Sequence, residues 1–318
     1  MNIKTTGIVG SGIIGTSFTA LFARFGFEVR LYDMVEAALK KAEVTVGTYF
    51  DLFVEKGVMT NEEVVAAKKR IKYVKTLEEC VVGVDLIQEC VPEVQDIKRS
   101  TFARIDALNP TAIYCSSVAT MTPSVIQDAG KHPERFIAGH PFNPPHLMPI
   151  IELCGGKLTD PKYVEEAKEF YLACKREPII VRKEIFGYIG NRLQGALLRE
   201  AVDLVCRGVC SVEDVDKATL YSVGLRWAIQ GQMLTLETNA SGGIRDYLKR
   251  YAHLTWELMW PDMAKWDVWP QEFIDVIGPE GVAEAMRNRP AETGNTRNEI
   301  IAWRDNLYAE IDKLTGHL

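Results

Sequence analysis

The stretch Gly10-Ser11-Gly12-Ile13-Ile14-Gly15 decides how this chain folds. A GxGxxG pattern is weak in isolation, and its surroundings make it informative. Residues 6–9 read as a strand, residues 16–25 as a helix and residues 28–32 as the next strand, which Asp33 ends about 20 residues after the motif. In that context Gly10 permits a tight turn, Gly12 lets a pyrophosphate approach the backbone, and Gly15 lets the helix pack closely on the strand. The free amides that open the helix, at Ile13 and Ile14, then face the anion. Asp33 is placed to accept hydrogen bonds from the adenosine ribose hydroxyls. Its carboxylate would repel a 2′-phosphate, and Met34 and Val35 offer no arginine to receive one. The motif therefore predicts NAD rather than NADP.

Working outward, the first half keeps alternating short apolar runs with helical patterns, the signature of βαβ units and a parallel sheet. Helices are expected over residues 35–54 and 61–70, the second opening on a Thr60/Asn61 cap beside Glu62 and Glu63. Further strands are expected at 84–90, 112–115, 136–138 and 149–153. Beyond Lys183 to Gly187 the strand runs thin out, and residues 190–207, 212–221 and 235–259 carry helical periodicity. The fold class predicted is α/β. A Rossmann-type, mostly parallel sheet domain that binds NAD (residues 1–185) precedes an all-helical domain (residues 186–318).

Composition narrows the function. The 318 residues are 47% hydrophobic and 25% charged, with a net charge of −6, which excludes a disordered chain. No basic stripe speaks for nucleic acid, and no run approaches the roughly 18 apolar residues of a membrane span. The N-terminus shows no signal architecture, and the seven scattered cysteines are an odd number that does not read as a disulfide framework, so a cytoplasmic protein is expected. Cys206 and Cys210, spaced i,i+4 on the expected helix, have no further Cys or His nearby, so no metal is predicted and they read as buried small hydrophobes.

The chemistry is expected at His140. It ends the apolar run Phe136-Ile137-Ala138-Gly139, and the loop Pro141-Phe142-Asn143-Pro144-Pro145-His146 leads into Met148-Pro149-Ile150-Ile151-Glu152-Leu153. If the two runs lie side by side, Glu152 reaches the imidazole, fixes its tautomer and raises its basicity. The other ring nitrogen can then take a hydroxyl proton while a hydride leaves for a nicotinamide. By itself, such a pair is more often structural.

Four motifs in register, the GxGxxG with Asp33, Gln88-Glu89-Cys90-Val91-Pro92-Glu93, Gly139-His140-Pro141-Phe142-Asn143-Pro144 and Phe186-Gly187-Tyr188-Ile189-Gly190-Asn191-Arg192, resemble the 3-hydroxyacyl-CoA dehydrogenase family over nearly the whole chain. The segments 88–93, 181–184, Gly224-Leu225-Arg226-Trp227 and Trp303-Arg304-Asp305 are similar to the branch containing L-gulonate 3-dehydrogenase and L-carnitine dehydrogenase. The resemblance implies that His140 is the catalytic base and Glu152 its partner. It places Asn191 on the substrate oxygen, Glu93 and Lys98 along the nicotinamide ribose, and Ser117 in the strand-end loop near the nicotinamide. It also implies a homodimer formed through the helical domain.

One departure stands out. The family's Ser-x-Thr-Ser run reads Ser116-Ser117-Val118-Ala119-Thr120, so the serine that normally holds the substrate oxygen is Ala119. Thr120 or Ser117 replaces it, or the substrate is held differently. The family's Pro-Gly-Phe likewise begins with Phe186. The reading that follows is an NAD-dependent dehydrogenase of a small L-3-hydroxy acid, with L-gulonate ahead of L-carnitine. A CoA thioester is the rival substrate, and a non-enzymatic, crystallin-like nucleotide binder the rival class. Arg226 is a candidate clamp for a carboxylate, or else an interdomain salt bridge. Trp256, Trp260, Trp266 and Trp269, with Trp227 upstream, suit either a cage for a quaternary ammonium or a core or dimer interface.

Overall fold

Eight strands form one sheet in the computed structural model, which describes residues 3–318. The strands are β1 (Thr5–Val9), β2 (Glu28–Tyr32), β3 (Ile71–Val74), β4 (Leu86–Glu89), β5 (Ile113–Ser116), β6 (Phe136–Pro141), β7 (Ile150–Gly155) and β8 (Glu177–Ile180). Their order across the sheet is β3-β2-β1-β4-β5-β6-β7-β8. Every neighbouring pair is parallel except β6 and β7, which run antiparallel. The chain order reverses between β1 and β4, and such a switch point opens a crevice at the carboxyl ends of the strands.

Seven helices cover this sheet: α1 (Ile13–Arg24), α2 (Glu36–Glu55), α3 (Asn61–Lys69), α4 (Leu77–Val81), α5 (Gln95–Leu108), α6 (Ser124–Gln127) and α7 (Pro161–Ala173). The central strands β4 and β5 are wholly buried, as expected where helices cover both faces of a parallel sheet. Helix α1 buries an unbroken run from Gly15 to Ala23, because it lies on the sheet and against α2 and α3. The α3 cap expected at Thr60 is a full capping box with Glu63, and an identical box at Thr76 and Glu79 starts α4. Strands β3 and β8 and helices α4, α5, α6 and α7 had no counterpart among the expected elements. Both strands are short and sit at the edges of the sheet, where one-sided burial leaves little apolar pattern.

The chain divides into two compact units, residues 1–190 with 302–318, and residues 191–301. The C-terminal segment, residues 302–318, belongs to the first unit. Arg176 secures it there by donating to the carbonyl of His317 at 2.6 Å, while Lys313 donates to the carbonyl of Lys56 at 2.8 Å. The second unit is helical throughout. The continuous helix expected over 235–259 is broken, since Leu225–Thr238 and Gly243–Tyr251 are separate helices parted at residues 239–242. Gly243, at φ +69°, adopts a left-handed conformation that breaks the helical run. Cys206 and Cys210 do not share a helix face either. The helix Gly190–Cys206 ends at the first, and Gly208, at φ +68°, turns the chain before the second. Both are partly exposed rather than buried, whereas Cys80, Cys115, Cys154 and Cys174 are buried as expected.

Candidate active site

The glycines of the motif differ in what a side chain would meet there. Gly10 has φ +104°, and a Cβ there would lie 2.6 Å from the carbonyl oxygen of Cys90. At Gly15 a Cβ would fall 1.9 Å from the carbonyl oxygen of Gly10, so only glycine lets α1 start this close to β1. At Gly12 it would meet nothing within 4 Å, because that position faces the open crevice. The crevice is about 720 Å³ and is lined by Gly10, Gly12, Ile13, Asp33, Val91 and Pro92 among others. Gly12 caps α1 without a side-chain bond, which leaves the helix N-terminus with its positive end dipole open to an anion. Ile14 does not line the crevice and packs against the core instead.

Asp33 ends β2 at the same opening. Its Oδ2 accepts from the amide and hydroxyl of Ser11 at 2.7 and 2.8 Å, and its Oδ1 accepts from the amide of Val35. These bonds hold an anionic carboxylate at the crevice, as the preference for an unphosphorylated ribose requires. Lys41 and Arg104 also line the opening and add positive charge to its wall. Arg104 lies on α5, one of the helices without a counterpart among the expected elements, so sequence reasoning did not find it. The residues present therefore fit a dinucleotide.

Two strands further along the sheet from β4 lies β6, about 10 Å away at ordinary strand spacing. His140 sits there, directly opposite Glu152 of β7 in the antiparallel register. The side chains of such a pair share a face of the sheet, and the His140 Nδ1 is 2.7 Å from Glu152 Oε2. Both are buried. The other carboxylate oxygen accepts from the amides of Ile189 and Gly190, each at 2.9 Å. Burial by itself would raise the carboxyl's pKa, yet the bonds from His140, Gly190 and Ile189 outweigh it and hold Glu152 below the ordinary value. The ionised carboxylate can only accept, so Nδ1 carries the proton facing it, and in the neutral imidazole Nε2 keeps its lone pair.

The segment supplying those amides was quoted as a motif, and the fold shows what it does. Gly187 and Tyr188 have φ +77° and +46°, which curls the chain onto Glu152. The Tyr188 ring packs 5.4 Å from the imidazole and its hydroxyl donates to the carbonyl of Met121. Phe142 lies 5.5 Å away on the other flank. A Cβ at Gly190 would be 2.5 Å from the Phe142 ring, so this glycine is a packing requirement.

Between the crevice and the imidazole, the ends of β4 and β5 carry a buried polar network. The Lys98 ammonium bonds Glu89 at 2.9 Å and pairs with Glu93 at 3.4 Å. Burial opposes the charge on Lys98, but the two carboxylates prevail and raise its pKa. Glu93 Oε1 accepts from the amides of Ala119 and Thr120 and from the Thr120 hydroxyl. Burial would raise the pKa of Glu93, yet these bonds and Lys98 lower it. Glu93 thus shapes the loop containing Ala119, and the Thr120 hydroxyl is already engaged there. Ser117 stands half-buried at the head of the same loop. Glu89, whose carboxylate also accepts from Ser116 Oγ, is a member of this network that the sequence did not single out. In the second unit, Asn191 is the second residue of Gly190–Cys206, and Arg226 is exposed on Leu225–Thr238.

Comparison with known proteins decides the family. Residues 5–185 match the 3-hydroxyacyl-CoA dehydrogenase NAD binding domain, and residues 187–268 match that family's C-terminal domain. The chain belongs to the 3-hydroxyacyl-CoA dehydrogenase family. It is an oxidoreductase, and its cofactor is NAD. The L-carnitine dehydrogenase of Pseudomonas putida is 38% identical over 252 residues, covering 78% of this chain and 77% of the relative. The L-carnitine dehydrogenase of Streptomyces coelicolor is 31% identical over 319 residues, covering 100% of this chain and 96% of the relative. Among solved structures, an NAD+-dependent dismutase described as 5-formyl-3-hydroxy-2-methylpyridine 4-carboxylic acid 5-dehydrogenase superposes with a TM-score of 0.82 at 26% identity, covering 98% of each chain. The (S)-3-hydroxybutyryl-CoA dehydrogenase of Ralstonia eutropha superposes at 0.65 and 26% identity, over 69% of this dehydrogenase and 77% of that chain. Among the described residues no helix is long and apolar enough to cross a membrane, and no group of three or more His, Cys, Asp or Glu is arranged to hold a metal ion.

Proposed function

We propose that this dehydrogenase oxidises the 3-hydroxyl of L-carnitine, with His140 as the general base. The observation that carries the chemistry is the His140–Glu152 pair, whose Nε2 is left free to take a hydroxyl proton. Bound NAD+ supplies the hydride acceptor. Glu152 holds the imidazole in the accepting tautomer and stabilises the imidazolium that forms. Glu93 and Lys98 brace the loop of Ser117 beside the nicotinamide end, and Asn191 contacts the substrate oxygen.

The substrate assignment moves from L-gulonate to L-carnitine. Relatives of 31 and 38% identity are named L-carnitine dehydrogenase, and Phe142 presents a half-buried aromatic face next to the imidazole. An aromatic face attracts a quaternary ammonium by roughly 0.5–2 kcal/mol. The tryptophans form no single cage. Trp266 and Trp269 stack in a row with Phe273, while Trp256 donates to the Tyr247 hydroxyl. Arg226, exposed in the helical unit, remains the candidate for the substrate carboxylate. Following A340 with NAD+ across L-carnitine, L-gulonate, 3-hydroxybutyrate and its CoA ester tests the reading. L-Carnitine is expected to be the fastest, and turnover of the CoA ester alone would overturn it.

The active species is a homodimer formed through the helical unit. That unit leaves Tyr221 at 77%, Ile229 at 81% and Leu254 at 73% exposed, apolar side chains that a subunit interface would cover. A light-scattering mass of one chain, unchanged at high concentration, would refute the dimer.

A further inference from the structure

The central strand β4 contains an anomaly. Its sequence Leu86-Ile87-Gln88-Glu89 lies wholly inside a helix-covered parallel sheet, where apolar residues are the rule. Glu89 is explained by Lys98. Gln88, fully buried, points to different partners. Its Oε1 accepts a hydrogen bond from the hydroxyl of Tyr171, which is itself fully buried on α7. Its Nε2 donates to Ser117 Oγ at 2.8 Å. A chain of two bonds thus runs from α7 through β4 to the loop at the carboxyl end of β5. Gly139, next to His140 on β6, makes room for it, since a Cβ there would stand 2.9 Å from the Tyr171 hydroxyl.

The direction of the chain matters. Because Tyr171 donates to the carboxamide oxygen, the Gln88 amine faces Ser117 and fills one of the serine's acceptor sites from behind. The serine proton must then point elsewhere. Its competing partner is the Cys90 thiol, 3.4 Å away and a weak acceptor. Burying a tyrosine hydroxyl and a carboxamide costs stability unless both are satisfied, and Phe with Leu would fill similar volume without that demand. The polar pair therefore needs a reason beyond packing.

We propose that Tyr171 and Gln88 are positioning residues that turn Ser117 into a hydrogen-bond donor for an acceptor oxygen held at the nicotinamide end of the site. This rests on the reading above that Ser117 borders that end. The acceptor belongs either to the carboxamide of the nicotinamide or to the substrate. With Ala119 where relatives carry a serine, Ser117 is the hydroxyl in this loop that Glu93 does not already hold.

Double-mutant cycles on the full-length chain test the proposal. NADH affinity is read by fluorescence titration, and KM and kcat are measured with L-carnitine. Ser117→Ala, Gln88→Leu and Tyr171→Phe are each expected to weaken one of the two affinities about three- to ten-fold, the size of one hydrogen bond. Tyr171→Phe should add nothing further once Ser117 is alanine, although Tyr171 does not touch the ligand. Coupling seen in NADH affinity places the acceptor on the cofactor, and coupling confined to the KM for L-carnitine places it on the substrate. Tyr171→Phe will also lower Tm, and that loss should persist in the Ser117→Ala background, which separates stability from positioning. Fully additive effects, or Ser117→Ala with wild-type affinities and kcat, would overturn the assignment. The NADH titration needs no turnover, so the positioning role can hold even if L-carnitine proves not to be the substrate.

Discussion

His140 and Glu152 face each other across one antiparallel rung of β6 and β7, with 2.7 Å between Nδ1 and Oε2. The pairing places an acid behind a base by strand register alone. Slipping either strand by one residue would turn its side chain to the other face of the sheet. His140→Gln removes the proposed base while leaving the residues that line the crevice in place. It should lower kcat by about 10²–10⁴ with NADH affinity retained, as stopped-flow turnover and titration would show.

Two glycines predict opposite failures. At Gly12 an added methyl meets no protein atom and enters the crevice, so Gly12→Ala should raise the KM for NAD+ while leaving Tm within about 1 °C. At Gly190 the methyl collides with Phe142, displacing an amide that Glu152 needs. Gly190→Ala should lower both Tm and kcat, with the KM for NAD+ close to wild type. Calorimetry and steady-state kinetics on the two variants distinguish them.

We propose that Asp33 governs cofactor choice. Its carboxylate is fixed by Ser11 and Val35 at the crevice mouth, where a 2′-phosphate would meet its charge. Asp33→Ser removes that repulsion. The variant should lose NAD+ affinity about ten-fold and narrow the gap between NAD+ and NADP+, measured as the ratio of kcat/KM.

Acid sensitivity should arise from His146. The ring is buried, stacks 3.9 Å from Tyr49, and its Nδ1 lies 2.7 Å from Ser17 Oγ, while its Nε2 has no hydrogen-bond partner among the described residues. Burial, helped by Arg176 and Arg304, lowers its pKa from 6.5 to about 3. The unfolded chain therefore binds a proton below pH 6.5 that the folded chain refuses. The neutral form's contribution is complete above pH 6.5 and is lost as the pH falls toward 3, at up to about 1.4 kcal/mol per pH unit. Chemical denaturation between pH 7 and 4 should show that slope, and His146→Phe should flatten it.

Much of the first unit was legible in local patterns, because its chemistry repeats at short range. The glycine motif lies within six residues, strand β2 follows at the expected distance, and Thr60 with Glu63 forms a cap that sequence spacing alone specifies. The helical unit was less legible. Its long periodic stretch hid the break at residues 239–242, since hydrophobic periodicity alone does not mark where one helix stops and the next begins. Arg104 escaped notice because α5 has few apolar residues to mark it, and Glu89 because a buried charge is recognisable only beside its partner.

The amino-acid order determined the nucleotide turn, the carboxylate that ends β2 and the histidine run, because each depends on neighbours a few residues apart. Tertiary structure decided which groups share a proton or an ion. Glu152 meets the amides of Ile189 and Gly190, Lys98 meets Glu89 and Glu93, and Tyr171 meets Gln88 across 83 positions of the chain. Hydrogen bonds and desolvation act over a few ångströms of space, and separation along the chain does not measure that distance.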